Sequence, residues 1–171
     1  VGLGGVGSHA AHMLARCGVG RLRLIDFDQV TLSSLNRHAT ATLADVGRPK
    51  SLALQEALEE RVPTCETHSV NRMFTAAAAD DLLCGWRCGD ESDERSTAPD
   101  LVLDCIDDLN TKAELLASCR DKGLRVLSSM GAGGKADPSR VRIGELMDCI
   151  KDPIASKLRW KLRKLDSHPD P

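Results

Sequence analysis

The chain opens with Val1-Gly2-Leu3-Gly4-Gly5-Val6-Gly7-Ser8, which contains the pattern GxGxxG directly before a predicted helix. Glycines let the backbone approach phosphate oxygens, and the helix start offers free N–H groups and a positive dipole end. Asp26 lies 19 residues beyond Gly7, at the end of the next predicted strand, where a carboxylate can accept hydrogen bonds from ribose hydroxyls. These features predict a nucleotide site that includes Gly2, Gly4, Gly5, Gly7, Ser8 and Asp26.

This motif alone leaves the ligand open. A nicotinamide or flavin dehydrogenase uses the same glycine loop and the same acid for its redox cofactor. A purely structural glycine turn is the other alternative, and the acid at the expected distance argues against it.

The rest of the chain alternates between strand and helix patterns. Helical periodicity or helix end signals mark residues 5–17, 49–62, 76–84 and 109–122, with a short helical turn at 33–37. Strand patterns mark residues 21–26, 65–70, 101–106, 124–129 and 141–146. This alternation predicts a Rossmann-like α/β fold, with a mainly parallel sheet and helices on both faces.

The length of 171 residues predicts a single domain. Almost no strand precedes Gly2, so we expect the chain to be a fragment without its N-terminal strand, which belongs in the middle of the sheet. Residues 85–99 contain four acids among the six residues 89–94 and have no apolar periodicity. We expect this stretch to be a disordered acidic insertion on the surface.

Composition excludes several classes of protein. The chain has two Trp, two Phe and no Tyr, which argues against RNA binding mainly by base stacking on aromatic side chains. The net charge of −2 gives no global attraction for a polyanion. No apolar run approaches a membrane span, and seven scattered cysteines favour reduced thiols in an intracellular protein.

Three further residues favour a nucleoside triphosphate over a redox cofactor. Arg37 and Lys50 can neutralise phosphate charge, Arg37 through its planar fork and Lys50 as a point charge. Asp107 follows a predicted strand directly and can hold Mg²⁺ through oxygen ligation. In isolation each has a simpler interpretation: an Arg or Lys is often solvated surface, and Asp107-Asp108 could merely begin the helix that follows.

Together these motifs resemble the adenylating domain shared by ubiquitin-activating enzymes and the bacterial activators of thiamine and molybdopterin sulfur carriers. The matching elements, in order, are GLGGVGS at residues 2–8, DFD at 26–28, LNR at 35–37, VGRPK at 46–50 and LDCIDD at 103–108. The resemblance implies that ATP and Mg²⁺ bind and that a carboxylate attacks the α-phosphate. It places Asp26 and Asp28 in the nucleotide site, Asp26 on the ribose. It places Asn36, Arg37 and Lys50 on the phosphates and Asp107 on Mg²⁺, with Arg37, Lys50 and Asp107 as the catalytic set.

The carrier-activating enzymes usually have two CxxC pairs that bind zinc, and this chain has none; Cys84 and Cys88 come nearest. The sequence from Gly131-Ala132-Gly133-Gly134 to Lys151-Asp152-Pro153-Ile154-Ala155 and its basic helix instead resembles the tRNA threonylcarbamoyladenosine dehydratases. That resemblance implies adenylation of the carboxylate of threonylcarbamoyl-adenosine in the tRNA anticodon loop, followed by ring closure. It also implies a homodimer, which is cytoplasmic or associated with mitochondria.

A basic helix over residues 151–165 is the predicted tRNA contact. From Lys151 to Lys164 there are six basic residues and one acid, a local charge of +5, which suits RNA phosphates. The predicted contact residues are Lys157, Arg159, Lys161, Arg163 and Lys164. An apolar stripe of Ile154, Leu158, Leu162 and Leu165 is expected to pack inward. An ordinary solvated helix face is the alternative.

Three other functions stay open at this point. The same site could adenylate the C-terminus of a ubiquitin-like or sulfur-carrier protein. A nicotinamide dehydrogenase would make Arg37, Lys50 and Asp107 coincidental. The chain could also be a non-catalytic binding module.

Overall fold

The computed structural model describes residues 1–83, 98–131 and 135–166. The helices are α1 (Gly7–Arg16), α2 (Lys50–Arg61), α3 (Ala79–Leu83), α4 (Leu109–Asp121) and α5 (Pro153–Asp166). The strands are β1 (Arg21–Ile25), β2 (Glu66–Val70), β3 (Val102–Asp104) and β4 (Val126–Ser128). Short 3₁₀ turns lie between them, including Leu32–Ser34 inside the predicted helical turn.

The strands form two parallel pairs. β1 pairs with β2 from Arg21 opposite Glu66 to Ile25 opposite Val70. β3 pairs with β4 from Val102 opposite Val126 to Asp104 opposite Ser128.

Val1 and Gly2 lie between these two pairs. The Gly2 N–H donates to the Ile25 carbonyl at 2.8 Å, and the Cys105 N–H donates to the Val1 carbonyl at 2.9 Å. The residues that lead into the glycine loop therefore connect β1 to β3 at the centre of the sheet. The observed order is β2, β1, the Val1–Gly2 segment, β3 and β4.

Adjacent residues of β1 point into different apolar clusters. Leu24 packs with residues of α1 and α2, including Ala11 and Leu54, whereas Ile25 packs with Leu82 of α3 and Leu115 of α4. Because successive side chains of a strand point to opposite faces, the helices cover both faces of the sheet. This confirms the predicted Rossmann-like α/β class.

The C-terminal helix packs against α4. Ala155 and Leu158 are fully buried, Ile154 and Leu162 are half-buried, and Leu165 is exposed. The inward stripe predicted for this helix is thus confirmed except at Leu165.

One predicted strand is wrong. Residues 141–146 have no ladder partner within the described chain, and they lead into a 3₁₀ turn at Leu146–Asp148. Val141 and Ile143 are 78% and 84% exposed, so the apolar alternation does not mark a buried strand face here. The predicted helix at 76–84 is also shorter, because residues 76–78 form a 3₁₀ turn before α3.

Parts of three predictions lie outside the described residues. These are nearly all of the acidic insertion at 85–99, the Cys84–Cys88 pair and the centre of the glycine-rich loop at 131–134. No helix among the described residues is long and apolar enough to cross a membrane.

Candidate nucleotide-binding site

The predicted site residues converge at one edge of the sheet. Asp26 follows β1, Asp107 follows β3, and the glycine loop lies between them because Val1 and Gly2 hydrogen-bond to both sides. The carboxyl ends of parallel strands are where open α/β folds bind their ligands.

The four loop glycines have different structural roles. Gly2 has a φ of +83°, and a Cβ there would lie 2.8 Å from the Cys105 carbonyl oxygen. A Cβ on Gly7 would lie 1.8 Å from the Gly2 carbonyl oxygen, so glycine is required at both positions for the loop to fold. A Cβ on Gly4, in contrast, would meet nothing within 4 Å. Gly4 therefore faces open space, where a ligand can approach the backbone closely.

Gly5 packs against the side chain of Arg37. A Cβ on Gly5 would lie 3.2 Å from Arg37 Cδ and 3.3 Å from its Cβ and Cγ. The stem of Arg37 thus lies directly on the loop, and its guanidinium is held at the same edge of the sheet.

The Ser8 side chain stabilises the glycine loop. Ser8 is fully buried, its hydroxyl donates to the Gly4 carbonyl at 2.7 Å, and it accepts from the Ala39 N–H at 3.0 Å. Ser8 therefore has an internal role, since its hydroxyl donates and accepts within the loop and its neighbours, and its expected contact with the ligand stays a prediction.

Asp26 ties the glycine loop to the end of β1. Its Oδ2 accepts from the Leu3 N–H at 2.6 Å and its Oδ1 accepts from the Asp28 N–H at 2.8 Å. Asp26 is only 8% exposed. Each carboxylate oxygen can accept a second hydrogen bond, so the expected bond to a ribose stays a prediction, alongside this structural role.

Lys50 is held beside the loop by Asp28. Lys50 Nζ donates to Asp28 Oδ2 at 2.7 Å, and the Lys50 N–H donates to the Asp28 carbonyl at 2.9 Å. The Lys50 side chain is 11% exposed, whereas that of Asp28 is 49% exposed. The ammonium therefore lies at the same strand end as Asp26, with a half-exposed carboxylate as its partner.

Arg37 presents a partly free guanidinium. Its Nη1 donates to the Ser33 carbonyl at 2.7 Å and to Asn36 Oδ1 at 3.1 Å. Within the described chain its Nε and Nη2 have no partner, so one edge of the fork is available to an anion. Asn36 orients this group and is itself exposed.

The neighbours Asp107 and Asp108 have separate roles. Asp108 caps α4: its Oδ2 accepts from the Thr111 N–H at 2.8 Å and from the Thr111 hydroxyl at 2.9 Å, and these bonds lower the pKa of Asp108. Asp107 is exposed and makes no hydrogen bond or ion pair with any described residue. The simpler interpretation, that both acids begin the helix, holds for Asp108 and not for Asp107.

His38 is a site neighbour that the sequence analysis missed. It is 7% exposed, and its Nδ1 accepts from the N–H groups of Thr40 and Ala41 at 3.3 and 3.1 Å. Burial, and then the charge of Lys50, lower the pKa of His38. The imidazole is therefore held in its neutral form near Lys50, and its position directly after Arg37 was the available sequence signal.

Two cysteines behave as inert thiols. Cys119 is fully buried, and burial raises its pKa to about 11. Burial also raises the pKa of Cys105. A neutral buried thiol is a poor nucleophile, which agrees with the position of Cys119 in the apolar core.

The basic side chains of α5 fall into two groups. Lys157, Arg163 and Lys164 are exposed, and Lys164 Nζ lies 4.8 Å from the centroid of the Trp160 ring. Lys161 is half-buried and donates to Asn110 Oδ1.

Arg159 does not face water freely. Its Nη1 donates to the carbonyls of Leu146 and Cys149, both at 2.9 Å, and its Nη2 donates to Ser156 Oγ at 3.1 Å. Arg159 therefore anchors the segment before the helix through Nη1 and Nη2, and its expected contact with RNA stays a prediction.

The fold and this strand edge define a class: an α/β protein of Rossmann-like architecture whose candidate anion-binding groups surround a glycine loop. Residues 1–163 match the model of the ThiF family. The chain belongs to the ThiF family.

Several members of known function are similar to this chain. It is 42% identical over 164 residues to tRNA threonylcarbamoyladenosine dehydratase 2 of Saccharomyces cerevisiae, covering 96% of this chain and 34% of that protein. It is 35% identical to the tRNA threonylcarbamoyladenosine dehydratase of Bacillus subtilis, covering 96% of this chain and 60% of that one. The chain thus spans about a third of the length of the yeast relative and three fifths of the length of the Bacillus relative.

A solved structure agrees with the fold. The Escherichia coli tRNA N6-threonylcarbamoyladenosine dehydratase, TcdA, in complex with AMP superposes with a TM-score of 0.85 at 33% identity. The match covers 97% of this chain and 63% of that chain.

Proposed function

We propose that this chain is the adenylating part of an ATP-dependent tRNA threonylcarbamoyladenosine dehydratase. The observation that carries the proposal is the free carboxylate of Asp107 at the strand edge that also presents Lys50 and the open fork of Arg37. Similarity to dehydratases over 96% of the chain supports it, as does the likeness to a relative solved with AMP.

ATP would lie across the glycine loop. The open face at Gly4 and the first N–H groups of α1 suit its phosphates. The free edge of Arg37 and the ammonium of Lys50 would neutralise the remaining charge, and Asn36 would support Arg37. A ribose hydroxyl would donate a further hydrogen bond to the carboxylate of Asp26. Lys50 would exchange its exposed partner Asp28 for a phosphate oxygen.

The residues present fit a magnesium ion. Mg²⁺ is usually held in proteins by one or two carboxylates together with substrate phosphates and waters, and Asp107 supplies one exposed carboxylate without a competing partner in the described chain. When bound, the ion would offset phosphate charge. Asp108, tied to Thr111, is not available for this role.

The reaction needs no protein nucleophile. A carboxylate oxygen of the threonyl group attacks the α-phosphorus, the bond to pyrophosphate breaks, and an acyl adenylate forms. A urea nitrogen of the same modified base then attacks the activated carbonyl, loses its proton and releases AMP. The nucleoside loses one water, whose oxygen leaves in AMP. Arg37 and Lys50 would contribute by stabilising charge and by orienting the phosphates.

The exposed side chains of α5 are the proposed tRNA contact. Lys157, Arg163 and Lys164 can neutralise RNA phosphates, and α5 packs against α4, whose first turn follows Asp107. We also propose a homodimer, as the family resemblance implies. An intracellular location, cytoplasmic or associated with mitochondria, is part of the same proposal.

A second candidate is activation of a ubiquitin-like or sulfur-carrier protein. The chain is 35% identical over 137 residues to the sulfur carrier protein ThiS adenylyltransferase of Escherichia coli, covering 79% of this chain and 49% of that one. The adenylation step would be the same, with the C-terminal carboxylate of the carrier as the acceptor.

The deciding experiment uses the full-length protein with ATP, Mg²⁺ and tRNA that carries threonylcarbamoyl-adenosine, followed by mass spectrometry of the nucleosides. We expect that nucleoside to lose one water, and Asp107→Ala to abolish the loss. The matched control is Asp100→Ala, because Asp100 is an exposed acid at the opposite end of β3. Intact nucleoside together with pyrophosphate exchange stimulated by a carrier protein would overturn the dehydratase in favour of the second candidate.

A further inference from the structure

A buried ion pair lies directly beneath the Asp107 turn. Lys112 Nζ donates to Asp104 Oδ2 at 2.7 Å, and the side chains of Lys112 and Asp104 are 2% and 0% exposed. Ser128 Oγ also donates to Asp104 Oδ2, at 2.5 Å, and Lys112 Nζ donates to the Ser129 carbonyl at 3.0 Å. The network therefore joins the ends of β3 and β4 to α4.

The Asp104 side chain holds one neighbour of Asp107, and the main chain of Lys112 holds the other, while Asp107 itself is left free. Asp104 Oδ1 accepts from the Ile106 N–H at 3.0 Å. On the other side, the Asp108 carbonyl accepts from the Lys112 N–H at 3.0 Å, and the Asp108 carboxylate caps α4. Asp107 lies between these two fixed residues and has no partner of its own in the described chain.

Stability alone does not account for such a pair. Removing two charges from water costs several kcal/mol per ion, and apolar residues of similar volume often stabilise a fold equally well or better. A buried lysine on the inner face of α4, beside Leu115 and Cys119, therefore points to a role in geometry.

We propose that Asp104 and Lys112 are positioning residues for the metal–nucleotide site, which fix the main chain at Ile106 and Asp108 so that Asp107 faces the phosphates. This inference rests on the proposed function, since it takes Asp107 as the magnesium ligand. Ser128 contributes as a further hydrogen-bond donor to the Asp104 carboxylate.

The test compares variants that separate fold stability from geometry. Lys112→Met alone leaves Asp104 buried without its counter-charge and is expected to destabilise the fold strongly. Both Asp104→Leu/Lys112→Met and Asp104→Asn/Lys112→Met remove the charges together. Only the asparagine keeps an oxygen that can accept from the Ile106 N–H. Thermal unfolding identifies which proteins are folded, and both double variants are expected to unfold within a few degrees of the parent.

The readout is ATP affinity of the full-length protein by calorimetry, with Mg²⁺ and in EDTA. We expect the leucine double variant to bind ATP about 10-fold to 100-fold more weakly with Mg²⁺, the usual cost of losing support for a metal ligand, and to match the parent in EDTA. The asparagine double variant should recover most of the affinity. Equal affinities of the parent and the folded leucine variant would overturn the inference.

A thermodynamic cycle with Asp107→Ala separates this inference from the proposed function. If the network acts through Asp107, the leucine double variant should cause no further loss in the Asp107→Ala background. Additive losses would show that the network affects ATP by another route and would overturn the inference. If Asp107→Ala itself leaves magnesium-dependent ATP binding unchanged, Asp107 is not the magnesium ligand. That result would contradict the proposed function rather than the positioning role alone.

Discussion

The strand edge at the glycine loop and the C-terminal region are built in different ways. At the strand edge, backbone atoms touch so closely that Gly2 and Gly7 admit no side chain, and Asp26 and Ser8 are buried and hydrogen-bonded to the main chain. Among the described residues, Asp107 and part of Arg37 remain free at this edge.

The C-terminal region is held by a few side chains. Asp152 caps α5, with its Oδ1 accepting from the N–H groups of Ile154 and Ala155 at 2.9 and 3.0 Å. Its Oδ2 accepts from Lys135, and Arg159 binds the segment before the helix. The difference fits the two proposed roles. A nucleotide site depends on a rigid backbone shape, whereas contact with a large polyanion needs only exposed charges on an anchored helix.

The largest effect is expected from Gly7→Ala. In most helices this change stabilises by about 0.5–1 kcal/mol, but here the new Cβ would lie 1.8 Å from the Gly2 carbonyl oxygen. The loop must shift, so we expect a loss of about 3 kcal/mol or more in the free energy of unfolding, measured by urea denaturation.

Gly4→Ala is the matched control for this change. Its Cβ meets nothing within 4 Å, so the free energy of unfolding should change by no more than about 0.5 kcal/mol while ATP binding weakens. Equal stability of the two variants would show that the loop is not a rigid backbone element.

A smaller effect is expected from Asp152→Ala, which tests the anchoring of the C-terminal region. Loss of a helix N-cap costs about 0.5–2 kcal/mol, and the ion pair with the half-exposed Lys135 adds no more than about 1 kcal/mol. Asp152→Asn keeps the capping oxygen and should lose less than half as much. Unfolding in urea measures both, and equal losses would show that the charge rather than the cap matters.

Asp108→Ala is expected to cost about 1 kcal/mol at neutral pH through loss of its cap on α4. The N–H and hydroxyl of Thr111 lower the pKa of Asp108 in the folded state. The contribution of Asp108 to the free energy of unfolding is therefore full when the pH lies above its ordinary pKa. It decreases as the pH falls through the lower pKa of the folded state. The difference in the free energy of unfolding between parent and variant, measured by urea denaturation, should be large at pH 7 and should decrease towards pH 3. The neighbouring Asp107→Ala should show no gap at either pH.

The sequence predicted the strand edge well because its geometry depends on local patterns. The glycine loop, Asp26, Arg37, Lys50 and Asp107 all lie where motif spacing placed them. Prediction was weaker where long-range partners decide a residue's role. Ser8 accepts a hydrogen bond from the distant Ala39 N–H, and Arg159 donates to the carbonyls of Leu146 and Cys149.

Lys112 illustrates a signal that could have been used. It lies three residues before Leu115 and seven before Cys119, on the inner face of α4. A lysine on that face indicates a buried counter-charge, and Asp104 interrupts an otherwise apolar strand. The partner itself could not be assigned, because 3.6-residue periodicity gives a face and not a contact across the sheet.

The smallest effects are expected from single charge changes on α5. Lys157→Gln and Lys164→Gln remove exposed charges and should each weaken tRNA binding a few-fold at moderate salt, without changing thermal unfolding. Each should also lower the slope of log affinity against log salt concentration by about 1, as for one phosphate contact. Arg159→Gln should instead destabilise the segment before α5, because two carbonyls lose their donor. If all three variants lower the salt slope equally, α5 acts as one undivided basic surface. If only the lysines do, the helix separates anchoring from RNA contact as its hydrogen bonds indicate.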